Sequence, residues 1–175
     1  MSARAMIQHI AALSILSLLY PLAAYASQNP EPERSKTLLT LYWGAKHGSP
    51  HNSRLNLAQL DALPQTTLTL ELPETLGIQG THSWQGVSLG ELLKLSGSTG
   101  QSVRLQALNG YYVTLPVSDI ERYNPLLAYR RAGNNLTIRE KGPFILIYPF
   151  NEFKTLNQQL YINRSIWQVH EIYIE

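Results

Sequence analysis

The sequence predicts an α+β domain, built mainly from strands with a few short helices. Short segments in which apolar and polar residues alternate recur between turn residues, and this period is typical of half-buried strands. Only the segments 56–63 and 88–96 place leucines at helical spacing behind a capping residue. The length of 175 residues suits one domain and leaves little room for a second.

The first residues predict a targeting segment. Arg4 gives a short positive region, residues 10–19 form an apolar run, and Ala24-Tyr25-Ala26 fits a small-residue cleavage signal. Because the run is shorter than the roughly 20 residues of a membrane span, an uncleaved anchor is the weaker alternative. We therefore expect a signal peptide over 1–26, cleaved after Ala26, a flexible leader over 27–36, and a domain over 37–175 of an exported, periplasmic protein.

The first strands and the first helix follow one another along the chain. Strands are predicted at 38–43 and 66–72, where apolar and polar residues alternate. Between them Asn56 is a suitable N-cap for a short helix over 56–63. Its apolar residues fall on one face: Leu57, Leu60 and Leu63.

The second helix is predicted over 88–96. Ser88 is its N-cap, Glu91 stands where a capping box requires an acid, and Gly97 ends it. The expected buried stripe comprises Leu89, Leu92 and Leu93.

The second half of the domain is expected to consist largely of strands. Asn109-Gly110 and Gly133-Asn134-Asn135 are turn signals between pairs of strands. The run 144–148 is continuously apolar, which predicts a strand buried on both faces. The predicted strands are 103–107, 111–115, 126–131, 136–138, 144–148 and 167–174.

Composition excludes several classes of function. The balance of 14 Lys+Arg against 12 Asp+Glu is too even for an electrostatic nucleic-acid surface. With 0 cysteines the chain has no disulfide, thiolate nucleophile, Cys-ligated zinc or iron–sulfur cluster. Neither a phosphate-binding glycine loop nor a G-x-S-x-G nucleophile motif is present.

His47 and His51 are separated by Gly48 and Pro50, so they cannot share a helix face as metal ligands. Solvated loop histidines explain them better.

A group of cations suggests a ligand site. Arg130 and Arg131 end one predicted strand, and Arg139 and Lys141 follow the return strand, so pairing could bring them together. Converging guanidinium groups suit an anionic or oxygen-rich ligand. The alternative is a surface hairpin with exposed cations.

Aromatic and amide residues occur in the neighbouring segments. His82 and Trp84 precede the second helix, Asn109 and Tyr111 lie at a turn, and Trp167 precedes the last strand. Such rings can stack on flat heterocycles, although single aromatic residues are more often core or interface residues. The residues alone thus indicate an exported α+β domain with a small-ligand cleft.

Several segments, taken in order, resemble the molybdopterin-binding domain of the sulfite oxidase family, in particular its small exported stand-alone members. The resemblance covers residues 38–174 and rests on these blocks: WQGVSLGELL (84–93), LQALNGY (105–111), LPVSD (115–119), LAYRRAGNNLTIREKGP (127–143) and YINRSIWQ (161–168). It implies a sulfite-oxidase-like molybdopterin-binding fold.

The resemblance places Ala107 where the oxidases have the cysteine that binds molybdenum. Because a carboxylate or an imidazole replaces a thiolate poorly at a molybdenum-oxo centre, the sequence argues against a molybdenum cofactor. Family members without this cysteine are implied to be periplasmic proteins that bind a reduced pterin without metal.

By resemblance, residues of the turn and of the last block line the pterin pocket, with weaker candidates elsewhere. The expected pocket residues are Asn109, Tyr111, Arg164, Ser165 and Trp167, and the weaker candidates are Arg139, Lys141, His82 and Trp84. Asp119 could serve the guanidine-like edge of a pterin, or it could cap a helix over 120–123.

The leading hypothesis is a periplasmic pterin-binding regulator, without metal catalysis. The resemblance implies as its partner the extracytoplasmic domain of a membrane sensor in cyclic-di-GMP signalling. The alternatives are a molybdopterin-dependent oxidoreductase with non-cysteine metal ligation and a protein-binding scaffold without a small ligand.

Overall fold

Ten strands and four α-helices are formed by the residues that the structure, a computed structural model, describes, namely 36–44 and 51–175. The strands are β1 (Thr37–Trp43), β2 (His51–Asn56), β3 (Thr66–Glu71), β4 (Thr81–Ser88), β5 (Ser102–Ala107), β6 (Tyr112–Pro116), β7 (Leu126–Arg131), β8 (Asn134–Asn135), β9 (Ile145–Ile147) and β10 (Val169–Ile174). The helices are α1 (Leu57–Asp61), α2 (Leu89–Ser96), α3 (Val117–Tyr123) and α4 (Gln159–Arg164). Short 3-10 helices occupy Glu74–Leu76, Ile138–Glu140 and Lys154–Leu156.

The strands form two sheets. The first has the order β2-β1-β10-β5-β6, and the second has the order β3-β4-β7-β8 with β9 also paired to β7. In the first sheet β10 runs parallel to β1 and antiparallel to β5. The last strand of the chain is therefore central, so the segment just before it is brought against the β5–β6 turn.

The hydrophobic core is formed largely by the buried residues that alternate along the strands of both sheets. Leu39 and Leu41 of β1 and Leu105 of β5 are wholly buried. The apolar run 144–148 is buried at every position, as its continuous hydrophobicity predicts. Burial of this kind supplies the main free energy of folding in a chain without disulfides.

The two helices that the sequence predicts are present and begin at the expected caps. Asn56 and Gln59 form a complete capping box at α1. At α2 the Ser88 hydroxyl accepts from the Glu91 amide, but the Glu91 carboxylate binds Lys94 at 2.7 Å instead of returning to the cap. The predicted box at α2 is thus only half formed.

The predicted strand over 136–138 is wrong. Ala132 and Gly133 both have positive φ, 48° and 82°, so they make a tight two-residue turn and pairing starts at once. Asn134 pairs with Arg131, and the chain then leaves the sheet for the 3-10 helix Ile138–Glu140. Sequence patterns also missed four elements: β2, β4, α3 as a full helix, and α4.

An Asp–Arg–Tyr group ties α1 to β7. Arg130 pairs with Asp61 at 2.7 Å, and the buried Tyr129 hydroxyl donates to Asp61 Oδ1 at 2.8 Å. Burial, and then the hydrogen bond and charge of Asp61, raise the pKa of Tyr129 to about 12.

We expect Tyr129→Phe to lower the free energy of unfolding by about 1 kcal/mol near neutral pH, because one hydrogen bond is lost. The raised pKa makes the contribution of Tyr129 complete below pH 10 and progressively lost as pH rises to about 12. Urea unfolding of both proteins across that interval checks this. A gap between wild type and variant that stays constant would contradict it.

Candidate functional site

A cavity of about 370 Å³ opens where the segment before β10 meets the β5–β6 turn, α4 and the 3-10 helix at 74–76. Its volume lies in the range of roughly 300–1,000 Å³ that is usual for small-molecule sites. The lining residues are Thr75, Leu76, Asn109, Tyr111, Gln159, Ile162, Asn163, Ser165, Ile166 and Trp167. Four of the predicted pocket residues, Asn109, Tyr111, Ser165 and Trp167, are therefore brought together.

The β5–β6 turn supplies the amide and one ring. Gly110 has φ 84°, a conformation that glycine adopts freely, and its amide donates to the Ala107 carbonyl at 2.9 Å. Asn109 Oδ1 accepts from the Tyr111 amide at 3.0 Å, so its NH2 group remains available to a ligand. Tyr111 is 57% exposed, and its ring is accessible from the cavity mouth.

The segment before β10 supplies the second ring and a hydroxyl. Trp167 is 38% exposed, whereas Ser165 is buried and its hydroxyl donates to the Tyr161 carbonyl at 3.0 Å. The Lys141 ammonium lies 4.0 Å from the centroid of the Trp167 ring, a cation–π contact. Trp167 is thus held in place and still offers ring surface to a ligand.

Arg164 is not part of the cavity lining, although the next residue, Ser165, is. Arg164 Nη1 donates to Asp119 Oδ2 at 2.5 Å, and the Tyr148 hydroxyl donates to the same oxygen at 3.0 Å. Burial, and then the charge of Asp119, raise the pKa of Tyr148 above its usual value. This group fixes the last residue of α4, directly before Ser165.

Asp119 neither caps a helix nor faces the cavity. It lies in the first turn of α3, whose N-cap is Pro116, and it is buried against Arg164. Its carboxylate is already bound to Arg164 and Tyr148. The prediction that Asp119 binds the edge of a pterin or caps a helix over 120–123 is therefore wrong.

His82 and Trp84 are not brought to this cavity. Trp84 is 0% exposed in β4, so its ring cannot stack on a ligand, and its indole nitrogen has no hydrogen-bond partner among the described residues. His82 lines a second cavity of about 470 Å³, together with Arg131 and Glu140.

The expected convergence of cations does not occur. Arg130 and Arg131 are neighbours on β7, where successive side chains point to opposite faces, and each is paired with an acid. Arg131 binds Glu140 at 2.9 Å. The other two cations of the predicted group also lie apart. The Lys141 ammonium contacts the Trp167 ring, and Arg139 is exposed in the 3-10 helix Ile138–Glu140.

The donor set of the cavity does not fit molybdenum. Its lining offers amides, hydroxyls and aromatic rings, but neither a carboxylate, an imidazole nor a thiolate. Ala107, the position that the resemblance assigns to the metal-binding cysteine, is buried at the end of β5 opposite Val169. Within 36–44 and 51–175, no group of three or more His, Asp or Glu could hold a metal ion.

Of the two histidines considered as metal ligands, the structure describes only His51. His51 begins β2 and stacks on Trp43, with ring centroids 6.0 Å apart. His47 lies outside the described residues, as do residues 1–35 with the predicted cleavage site.

No helix of the described part is long and apolar enough to span a membrane.

Sequence reasoning missed most of the far wall of the cavity. Gln159, Ile162 and Asn163 all come from α4, which has no capping hydrogen bond from a side chain at its start. The spacing of these three residues over one helical turn is the available signal. A helix this short, without a capping residue, is not distinguished from other segments by its sequence.

We expect Asp119→Ala to lower the free energy of unfolding by about 3–5 kcal/mol, because it leaves the Arg164 guanidinium unpaired and largely buried. The matched control is Asp61→Ala, which breaks a second Asp–Arg–Tyr group whose carboxylate is more exposed, 33% against 10%. Its loss should be smaller. Chemical denaturation of both variants tests this, and equal losses would contradict it.

The comparisons with known proteins identify the fold. No protein-family model matches the chain, and no curated protein sequence matches it significantly. Among solved structures, the sulfane dehydrogenase SoxCD from Paracoccus pantotrophus is similar, with a TM-score of 0.53 and 17% sequence identity. The match covers 78% of this chain but only 38% of that one. The predicted fold class is confirmed: the chain has an α+β, sulfite-oxidase-like fold.

Proposed function

We propose that the protein binds a reduced pterin in the cavity at Trp167 and acts as an exported regulator without metal catalysis. The observation that supports this most is the convergence of Trp167, Tyr111, Asn109 and Ser165 on one cavity of about 370 Å³. These residues come from two segments far apart in the sequence.

The chemistry of the lining suits a pterin. A pterin is a flat heterocycle with a guanidine-like edge and a carbonyl group, so it needs a stacking surface together with both donors and acceptors. Trp167 and Tyr111 offer partly exposed rings. Asn109 offers its NH2 group as a donor. Because the Gln159 NH2 group donates to Asn163 Oδ1 at 2.7 Å, Gln159 offers its carbonyl oxygen as an acceptor and Asn163 its NH2 group as a donor.

The sequence is the basis on which we propose the regulatory role, the periplasmic location and the partner. The segment 1–26 has the pattern of a cleaved signal peptide. The resemblance to small exported proteins without the metal-binding cysteine implies action on the extracytoplasmic domain of a membrane-bound cyclic-di-GMP signalling protein. A binding role also agrees with a cavity whose lining has no acid, imidazole or thiolate.

The second candidate is an oxidoreductase that takes a molybdenum cofactor through other ligands. The fold shared with a protein named as a dehydrogenase favours it. The donor set described above opposes it, since none of the lining groups is a usual anionic ligand of a metal.

Titration calorimetry with tetrahydropterins tests the proposal. Trp167→Ala should weaken binding by about 1–3 kcal/mol, or roughly 5- to 150-fold, because the ring is a central stacking anchor. Trp43→Ala is the matched control, since Trp43 ends β1 beside the last residues of β10 and away from the cavity. Its affinity should equal that of wild type. Absence of heat across a panel of reduced pterins would overturn the proposal.

Metal analysis separates the two candidates. Protein isolated from the cells that naturally export it should contain no stoichiometric molybdenum, because the cavity lacks a suitable ligand set. One molybdenum per chain would favour the oxidoreductase instead.

A further inference from the structure

Two large exposed apolar side chains, Tyr111 and Trp167, line the cavity, and two more lie on segments that are adjacent or hydrogen-bonded to the segments of that lining, Leu108 and Ile138. Leu108 is 46% exposed, Tyr111 57%, Ile138 60% and Trp167 38%. Together with Lys141 we call these residues the rim surface. Leu95, 45% exposed on α2, is a comparable side chain that does not border the cavity.

One residue ties the rim surface together. The Gln168 carbonyl accepts from the Leu108 amide at 2.9 Å, and the Gln168 amide donates to the Lys141 carbonyl at 3.0 Å. Its side chain donates to the Ile138 carbonyl at 3.0 Å. Three chain segments, each with an exposed apolar residue, are therefore joined by hydrogen bonds at Gln168.

The backbone of this surface adopts an unusual conformation. Lys141 and Gln168, which are hydrogen-bonded to each other, have φ of 70° and 57°, in the left-handed region that residues other than glycine rarely enter. Such conformations persist only where the surroundings enforce them, and they cluster at functional surfaces.

The rim surface and its border have unbalanced positive charge. Among described residues, no carboxylate pairs with Lys141 or with Arg139, which follows Ile138 directly. The one acid between them, Glu140, is bound to Arg131 at 2.9 Å and to the Thr137 hydroxyl at 2.9 Å. The exposed apolar residues are thus accompanied by two cations that have no carboxylate partner among the described residues.

We infer that the rim surface docks a partner protein through a segment that presents a carboxylate beside an apolar side chain. Apolar anchors would pack on Ile138 and Leu108, and the carboxylate would bind Arg139 or Lys141. Because Tyr111 and Trp167 belong both to this surface and to the cavity, the docked segment also covers the cavity mouth.

Two other occupants fit less well. A symmetric contact with a second copy would bring together two copies of the same surface, each with two cations and no unpaired carboxylate to complement them. A bilayer would favour a basic amphipathic helix, whereas α4, the helix at this surface, has Arg164 as its single basic residue, and that guanidinium is paired with Asp119.

The inference rests on the proposed function in that its partner is the protein that the regulator acts on. Site-specific photo-crosslinking in the cells that export the protein tests it. A photoreactive residue replaces Ile138 in one variant, Leu108 in a second, and Leu95 in the control. Adducts are identified by mass spectrometry, and the crosslinked peptide of the partner is mapped.

We expect positions 138 and 108 to yield the same protein adduct, with the crosslink next to an Asp or Glu of the partner, and position 95 not to yield it. Arg139→Glu should reduce the yield at least tenfold, and exchanging the partner's acid for lysine should restore it. Lys154→Glu, which changes an exposed cation elsewhere, should leave the yield unchanged.

The inference is overturned if no adduct forms, if position 95 gives the same adduct, if the adduct is phospholipid or a second copy, or if Arg139→Glu has no effect. Calorimetry of the wild-type protein and of the position-138 photoreactive variant with tetrahydropterins is run in parallel. If these proteins bind the pterin but form no crosslink, this inference alone is refuted, and if they form the crosslink but bind no pterin, the proposed ligand alone is refuted.

Discussion

The central position of β10 is the constraint on which the remainder of the structure depends. Because β10 lies between β1 and β5, the chain must arrive at the end of β5 immediately before it enters the sheet. That route places Ser165 and Trp167 against the turn at Asn109. The Asp119–Arg164 pair then anchors the end of α4 beneath them. The cavity is thus a consequence of strand order and of one buried ion pair, and does not depend on a dedicated binding loop.

Patterns of local sequence predicted much of the fold and about half of the site. Alternation, the Asn109-Gly110 turn and the caps at Asn56 and Ser88 are local signals, and the structure forms each of those elements. Burial is decided by tertiary position, which local patterns do not contain. Trp84 lies within β4 and is enclosed between β3 and β7, whereas Trp167, just before β10, is 38% exposed.

The cation cluster shows the same limit. The sequence predicts that strand pairing brings Arg130 and Arg131 close to Arg139 and Lys141. Because neighbouring residues of a strand point to opposite faces, Arg130 and Arg131 separate instead, and each binds its own acid, Asp61 or Glu140. Those acids come from α1 and from a 3-10 helix, and neither pairing follows from spacing in the sequence. Lys141, which contacts Trp167, and Arg139 have no such acid among the described residues, and they leave the rim surface and its border with positive charge.

The indole N–H resonances of the tryptophans report whether a reduced pterin stacks on Trp167. The chain has 3 tryptophans, Trp43, Trp84 and Trp167, so the nitrogen–proton spectrum should show a separate side-chain signal for each. On titration with a tetrahydropterin, we expect a large shift of the Trp167 signal, while the signals of buried Trp84 and remote Trp43 stay in place. A shift of Trp84 or Trp43 without one of Trp167, or no shift at saturating ligand, would contradict this expectation.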